Sequence, residues 1–362
     1  MTMRVGVNAA LMSSSRDYRQ AGVSRYVTEL LAAIAPLTSP DEQVIPVRPG
    51  HPRLWSRPEA RIAWEQTALA IRARAAQLDL LHGPVMVAPV IGPPSVVTVH
   101  DLAFVRYPEH APLTRRVYLT PATRMSVARA RRIITVSEAT ASDLIRWAGV
   151  PAAKIEAIPL AAATSIRPPE QDRSENFRRT SVHRPYVLAV GTIEPRKNLR
   201  TLLRAFASIV DRVPHDLVVV GGDGWKQGSL AAELEMLGIS SRVRFTGHVD
   251  DDELSCWYSA SDCFVFPSMF EGFGLPPLEA MQCGAPVITT TASSLPEVVG
   301  DAAITVEPYD ADAFAAAIRR VVTNESLRAE MREQGLARAA TFTWSRTASS
   351  TLDVYRDAVA RG

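Results

Sequence analysis

The chain has 362 residues, 47% of them hydrophobic and 22% charged, and carries a net charge of +2 at pH 7. It is too long for one ordinary core and is most simply two domains of globular composition, with no low-complexity tract and no repeat. No apolar run reaches the roughly 18 residues of a membrane span, the start MTMRVGVNAA lacks a secretory apolar core, and Cys256, Cys263 and Cys283 are odd in number without metal-ligand spacing, so a reducing, cytoplasmic setting is expected.

Short apolar runs alternate with helix-period segments, the pattern of parallel sheets covered by helices. In the first half, strands are expected at residues 4–8, 78–82, 95–100 and 132–137. The stretch RDYRQAGVSR, residues 16–25, leads into a helix over 23–34 whose Val23, Tyr26, Val27, Leu30, Leu31 and Ile34 share one face. Gly22 sits at that junction, where its N–H and the helix terminus could reach a phosphate, although such strand-turn-helix glycines are common. His100 ends the run VVTVH ahead of Asp101. It could hydrogen-bond a sugar hydroxyl or a departing phosphate; a satisfied structural histidine fits the same pattern. Ser137 is placed to cap the helix through Leu144 and Ile145.

Charge is unevenly spread. Residues 1–168 hold 20 Lys and Arg against 12 Asp and Glu, whereas the remainder holds 20 against 26. The basic residues of the first half concentrate in 53–74, with Trp55, Ile62, Trp64 and Ile71 interleaved, and in 115–132. Both stretches suit helices lying on an anionic membrane surface or a phosphate-carrying acceptor, and equally suit solvated Arg-rich faces. Nucleic acid is not an expected partner, because no nucleic-acid module accompanies the charge.

Residues 165–184, SIRPPEQDRSENFRRTSVHR, are polar, proline-bearing and aperiodic. They read as an interdomain linker, assigned to 169–184, between a first domain over 1–168 and a second over 185–344. In the second, strands are expected at 186–190, 217–220, 243–246, 263–266, 286–289 and 303–306, with a helix over 199–210 and three helical patterns after Asp310. The fold class is therefore α/β, two Rossmann-like domains facing a cleft, with ligand at the carboxyl ends of the strands.

Two stretches of the second domain carry chemistry. In Gly191-Thr-Ile-Glu-Pro-Arg-Lys-Asn198 a flexible glycine precedes Arg196 and Lys197, a bidentate fork and a point charge suited to a diphosphate, with Asn198 as helix cap. In FPSMFEGFGLPPLEAMQCGAPVITTTASSLPE, residues 266–297, Glu271 and Glu279 flank a Gly-Phe-Gly turn. Pro276 or Pro277 suits the first helical position, while Gly272 and Gly274 let an anion approach the helix N–H groups. Glu271 in the loop and Glu279 in the first helical turn could then accept hydrogen bonds from hydroxyls on either side of a phosphate. Alternatively, Glu279 complements the helix dipole and Glu271 is a solvated loop acid. Two anion-suited sites at strand ends of one sheet together suggest a nucleotide-diphosphate clamp. The acidic run Asp250-Asp251-Asp252-Glu253 reads as helix capping, so no catalytic metal is expected there. Gly221-Gly222-Asp223-Gly224 lacks the third glycine of a dinucleotide fingerprint, and no Walker A or nucleophile-elbow pattern occurs. Dehydrogenase, P-loop ATPase and serine hydrolase activities lose support.

On these residues the chain resembles the family-4 retaining glycosyltransferases of GT-B fold, over nearly its whole length. The resemblance rests on Glu271-Gly-Phe-Gly-Leu-Pro-Pro-Leu-Glu279 with Gly284-Ala-Pro-Val and Leu295-Pro-Glu297, and on GTIEPRKNL from Gly191. It implies that Arg196 and Lys197 hold the donor diphosphate, Glu271 the hydroxyls of the transferred sugar and Glu279 the ribose. Gly22, Gly191 and the amides of Phe273, Gly274 and Leu275 would contact donor phosphate or sugar, Val249 would lie near the base, and His100 near the reaction centre. It further implies transfer with retention, without metal or resident cofactor, and a terminal helix over 345–362 that crosses back to the first domain. The stretches TVHDLAFVRYPE, GTIEPRKNL and Trp64-Glu65-Gln66 look most like bacterial mannosyltransferases building surface polysaccharides from GDP-mannose. The expected partners are a nucleotide-sugar donor, a glycan or lipid-linked acceptor and the inner face of the membrane. A UDP-glucose-type donor, an NDP-sugar epimerase of the same architecture and a non-catalytic sensor are the alternatives.

Overall fold

The computed structural model describes residues 3–10, 12, 21–50, 58–110, 113–222 and 228–361. The chain divides into two units, one comprising 1–160 with 343–362 and the other 161–342.

The first unit is built on a parallel sheet of β1 (Met3–Asn8), β2 (Glu42–Val47), β3 (Leu80–Gly83), β4 (Ser95–Val99), β5 (Arg132–Thr135) and β6 (Ile155–Ala157), in the order β2-β1-β3-β4-β5-β6. Its inner strand β4, SVVTV, is mostly β-branched and is buried along its whole length because helices cover both faces. Two edge strands, β2 and β6, were not among the expected ones. Pro46 is tolerated within β2 because that strand pairs on one side only, and β6 is just three residues long.

Helix Ala21–Ile34 buries Tyr26, Val27, Leu30 and Ile34, each worth about 1.5–3 kcal/mol as a large apolar side chain. The last helix, Trp344–Ala360, belongs to this unit and packs on Ala21–Ile34 and on β1, β3, β4 and β5. Its Tyr355 hydroxyl lies 2.6 Å from His82 Nδ1, whose Nε2 is 2.7 Å from Thr98 Oγ1. Burial, with His100 nearby, pushes the His82 pKa down to about 3, so the ring is neutral. Arg131 donates to the Ala358 carbonyl at 2.8 Å, and Arg132 pairs with Glu156 at 3.1 Å and Asp357 at 3.2 Å. These two cations of the 115–132 stretch are thus engaged within the fold. The side chains of Arg115 and Arg116, like Arg53 and Trp55, lie outside the described residues. Trp64 is a core residue, packed among Leu69, Ala73, Leu78 and Leu81. Among the described residues no helix is long and apolar enough to cross a membrane.

The second unit holds β7 (Tyr186–Val190), β8 (Asp216–Val220), β9 (Val243–Gly247), β10 (Cys263–Phe266), β11 (Val287–Thr290) and β12 (Ile304–Val306), in the order β12-β11-β10-β7-β8-β9. This is the order of a doubly wound sheet, and the direction of winding reverses between β7 and β10. Leu202, Leu203 and Phe206 from helix Leu199–Ala207 and Phe314, Ile318 and Val321 from helix Ala311–Val322 fill one face.

The segment expected as a linker, 169–184, contains helix Gln171–Ser181 and lies within this unit, whose boundary falls at residue 161. Phe177 is its buried anchor, edge-on to Trp257 with ring centroids 4.8 Å apart, and Arg173 pairs with Asp252 at 3.1 Å. One apolar anchor leaves no periodicity to detect. Of the rest of the acidic run, Asp250 caps helix Asp251–Ala260 by accepting from the Glu253 N–H at 2.8 Å, and Asp251 accepts from the Ser165 hydroxyl at 2.6 Å.

Candidate active site

The reversal between β7 and β10 brings two loops together at the carboxyl ends of those strands. After β7, Pro195–Lys197 form a single 3-10 turn, and Asn198 follows with a left-handed backbone, φ 55°. Asn198 holds the N-cap position of the next helix, as expected, but its side chain makes no capping hydrogen bond there. Its side-chain amide instead donates to the carbonyls of Pro267, at 3.1 Å, and Pro308, at 2.5 Å, tying the loop after β7 to those after β10 and β12. The Met269 N–H donates to the Arg196 carbonyl at 2.9 Å, completing the join.

Within it, three donors meet one carboxylate oxygen. Lys197 Nζ and Ser268 Oγ both lie 2.6 Å from Glu271 Oε1, and Arg196 Nη1 lies 3.0 Å from the same atom. Arg196 also donates to Glu194 Oε1 at 2.6 Å and to the Phe270 carbonyl, while Lys197 Nζ stands 4.9 Å above the Phe266 ring. The Glu271 side chain is only 12% exposed. Burial by itself pushes its carboxyl up, but the Lys197 and Arg196 charges, with hydrogen bonds from Lys197 and Ser268, outweigh it and hold the pKa at about 2. Glu271 is therefore a buried carboxylate stabilised by two cations, which rules out the solvated loop acid. A recess beside it is lined by Gly191, Thr192, Lys197, Val265, Phe266 and Pro267.

Two glycines make this packing feasible. Gly191 and Gly221 have φ of 149° and 156°, and a Cβ on Gly221 would stand 2.1 Å from the Gly191 carbonyl oxygen. The exits of β7 and β8 thus touch backbone to backbone, with Gly191 N–H donating to Val220 at 2.9 Å.

Helix Leu275–Gln282 starts one residue ahead of Pro276 and two ahead of Pro277. Leu275 takes the first position, Pro276 and Pro277 the second and third, and Gly274 caps it at φ 115°. Two of the first three helical residues therefore have no N–H, and the Leu278 N–H reaches back to the Gly274 carbonyl at 3.4 Å. What this terminus can offer an anion is the amides of Phe273, Gly274 and Leu275. The loop before it is held by serines: Ser293 and Ser294 donate to the Glu271 carbonyl at 2.6 and 3.0 Å, and Ser294 lies 2.7 Å from that of Phe273. Glu279 falls in the second helical turn, not the first, and is 5% exposed, with the Tyr258 hydroxyl 3.3 Å from Oε2. Val249 follows β9 and is half-buried.

In the first unit, His100 follows β4. Its Nε2 donates to the Pro84 carbonyl at 2.8 Å, and the Tyr26 ring meets it edge-on with centroids 4.8 Å apart. Burial lowers its pKa despite the Pro84 bond and Asp101. A neutral ring with Nε2–H committed leaves Nδ1 as acceptor, which suits a sugar hydroxyl and not a phosphate. Gly22 is exposed within helix Ala21–Ile34, and a Cβ there would meet nothing within 4 Å. Arg16 and Arg19 lie outside the described residues.

Of the residues singled out in the sequence, the structure brings Arg196, Lys197 and Glu271 together, and Ser268, Glu194, Phe266 and the serine pair at 293–294 join them without having been expected. The Ser-Ser dipeptide ahead of Leu295-Pro-Glu297 was on view, but nothing in its spacing says which carbonyls it reaches.

Comparison with known proteins identifies the family. Residues 171–338 match the family model of glycosyl transferases group 1, and residues 16–166 that of glycosyltransferase family 4. O-antigen chain mannosyltransferase B of Escherichia coli is 35% identical over 76% of this chain and 74% of its own length. The MMP alpha-(1->4)-mannosyltransferase of Mycolicibacterium hassiacum is 30% identical over 84% of this chain and 76% of its own. A serotype-specific mannosyltransferase of Escherichia coli is 30% identical, but the match spans only 28% of that longer protein. Among solved structures, sucrose-phosphate synthase from Thermosynechococcus elongatus superposes with a TM-score of 0.79 at 22% identity over all of both chains.

Proposed function

The chain belongs to glycosyltransferase family 4, with the GT-B fold and hexosyltransferase activity, and on that premise we propose that it moves mannose from GDP-mannose to a glycan or lipid-linked acceptor with retention and without a metal. The observation that carries this is the convergence of Arg196, Lys197 and Ser268 on one oxygen of Glu271 at the β7–β10 reversal. Arg196 and Lys197 are long cations that can exchange a carboxylate oxygen for the oxygens of a diphosphate. There they supply the two positive charges that a departing nucleoside diphosphate needs, the role a metal would otherwise fill. Glu271 accepts hydroxyls of the transferred sugar, Glu279 those of the ribose, and the amides of Phe273 to Leu275 face the phosphates. The departing phosphate oxygen takes the acceptor's proton as the new glycosidic bond forms on the face the nucleotide leaves. Identity to mannosyltransferases supports the choice of mannose. The basic first unit supports an acceptor presented on an anionic lipid surface at the inner face of the membrane.

The test is incubation of a panel of GDP- and UDP-sugars with a mannose-terminated lipid-linked acceptor, with the linkage of the product read by NMR. Turnover from GDP-mannose, unaffected by chelator and giving an α-linked product, is expected. Turnover only from UDP-glucose would replace the donor, an inverted linkage would sink the mechanism, and an epimerised sugar from donor alone would favour the epimerase alternative.

A further inference from the structure

We propose that Ser268 is a positioning residue for sugar recognition: it holds one carboxylate oxygen of Glu271 so that the other is aimed at the transferred sugar. This rests on Glu271 being the sugar-binding carboxylate. Every described partner of that carboxylate, Lys197, Arg196 and Ser268, lies on Oε1. Oε2 is the atom left to accept a hydroxyl.

The three donors differ in what happens when a diphosphate competes for them. Lys197 and Arg196 are flexible cations, and a diphosphate draws both. Ser268 is fully buried, has one side-chain torsion, and leaves β10 with its own carbonyl held by Thr290 Oγ1 at 2.7 Å. Its single proton has three acceptors within reach. Glu271 Oε1 at 2.6 Å is charged and nearest, whereas the Arg196 and Phe270 carbonyls each lie at 3.3 Å, so the carboxylate takes it. Ser293 and Ser294 meanwhile grip the Glu271 main chain through its carbonyl. The residue is pinned at both ends, and the pin on the carboxylate is the one donor that a nucleotide does not contest. Nucleotide affinity and sugar discrimination therefore depend on different side chains of one cluster.

The experiment compares wild type, Ser268→Ala, Ser268→Thr and Glu271→Ala. Readouts are GDP binding by calorimetry and kcat/KM for GDP-mannose against its C2 epimer GDP-glucose, or UDP, UDP-glucose and UDP-galactose if the panel above selects uridine. Ser268→Ala should bind the nucleoside diphosphate within about twofold of wild type while its kcat/KM for the preferred donor falls roughly 10- to 100-fold, as for loss of a hydrogen bond to a charged group. The preference between epimers should narrow, and Ser268→Thr, which keeps the hydroxyl, should recover most of it. Equal losses of nucleotide and sugar-nucleotide binding in a folded Ser268→Ala protein, or an unchanged epimer preference, would overturn the proposal while leaving the site intact. If Glu271→Ala itself keeps the wild-type preference, the assignment of Glu271 to the sugar falls, and this inference with it.

Discussion

Replacing Glu271 with Gln tests whether two cations hold a buried carboxylate in place. Gln has nearly the shape of the protonated acid, so the variant mimics wild type below both pKa values. The folded-state pKa of about 2 against an ordinary 4.5, at about 1.4 kcal/mol per pH unit, corresponds to about 3 kcal/mol of folding stability. The sign follows from a depressed pKa: the contribution is present in full above pH 4.5 and is lost as the pH falls through about 2. For a domain the size of the second unit, about 3 kcal/mol moves a thermal transition by roughly 6–12 °C. Calorimetry at pH 7, 5 and 3 should show that displacement nearly unchanged between pH 7 and 5 and about halved at pH 3. A displacement that is absent at pH 7, or equally large at pH 3, would refute the electrostatic account of the cluster.

Three further outcomes are expected. Lys197→Ala and Arg196→Ala should each lower kcat about 10²- to 10³-fold, the cost of losing one donor to developing negative charge; losses under tenfold in both would remove them from the leaving-group site. Asn198→Ala orphans the Pro267 and Pro308 carbonyls and should destabilise the second unit by at least about 2 kcal/mol in urea, and an unchanged midpoint would mean those bonds contribute nothing net. Tyr355→Phe leaves buried His82 Nδ1 without its hydroxyl and should cost about 1–3 kcal/mol, seen in the fluorescence of Trp64, Trp147 and Trp344; no shift in that signal would count against the network.

The parts of this fold that show in the sequence are those with a repeating physical signature. Inner strands such as Ser95–Val99 and Val287–Thr290 are short runs rich in β-branched residues, and the helices at 21–34 and 199–207 carry one apolar face, so these elements declare themselves. Strand β2 and helix Gln171–Ser181 do not, because β2 mixes Glu42, Gln43 and Pro46 into a half-exposed strand and the helix has Phe177 as its one buried side chain. In the site, residue types advertised the chemistry: adjacent Arg196 and Lys197, and Glu271 beside glycines. Which atoms meet is set by tertiary packing. Asn198 adopts a left-handed backbone and its side chain bonds across to other loops, where local propensity alone gives it a capping bond. Glu279 is the fifth helical residue, just inside the second turn, because Leu275 and not a proline opens the helix. That all three donors converge on Oε1 is a property of two loops separated by about 70 residues in sequence, beyond any local pattern.

The place of helix Trp344–Ala360 in the first unit has a consequence for biosynthesis. That unit is discontinuous: a nascent chain that has emitted 160 residues must synthesise all 182 of the second unit before the closing helix can dock. At about 5–20 residues per second, the wait is roughly 10–40 s. Throughout it, the surface that receives Leu352 and Tyr355 stays uncovered and His82 lacks its hydroxyl partner. The second unit, contiguous in the chain, can mature on the ribosome, whereas the half begun first is finished last.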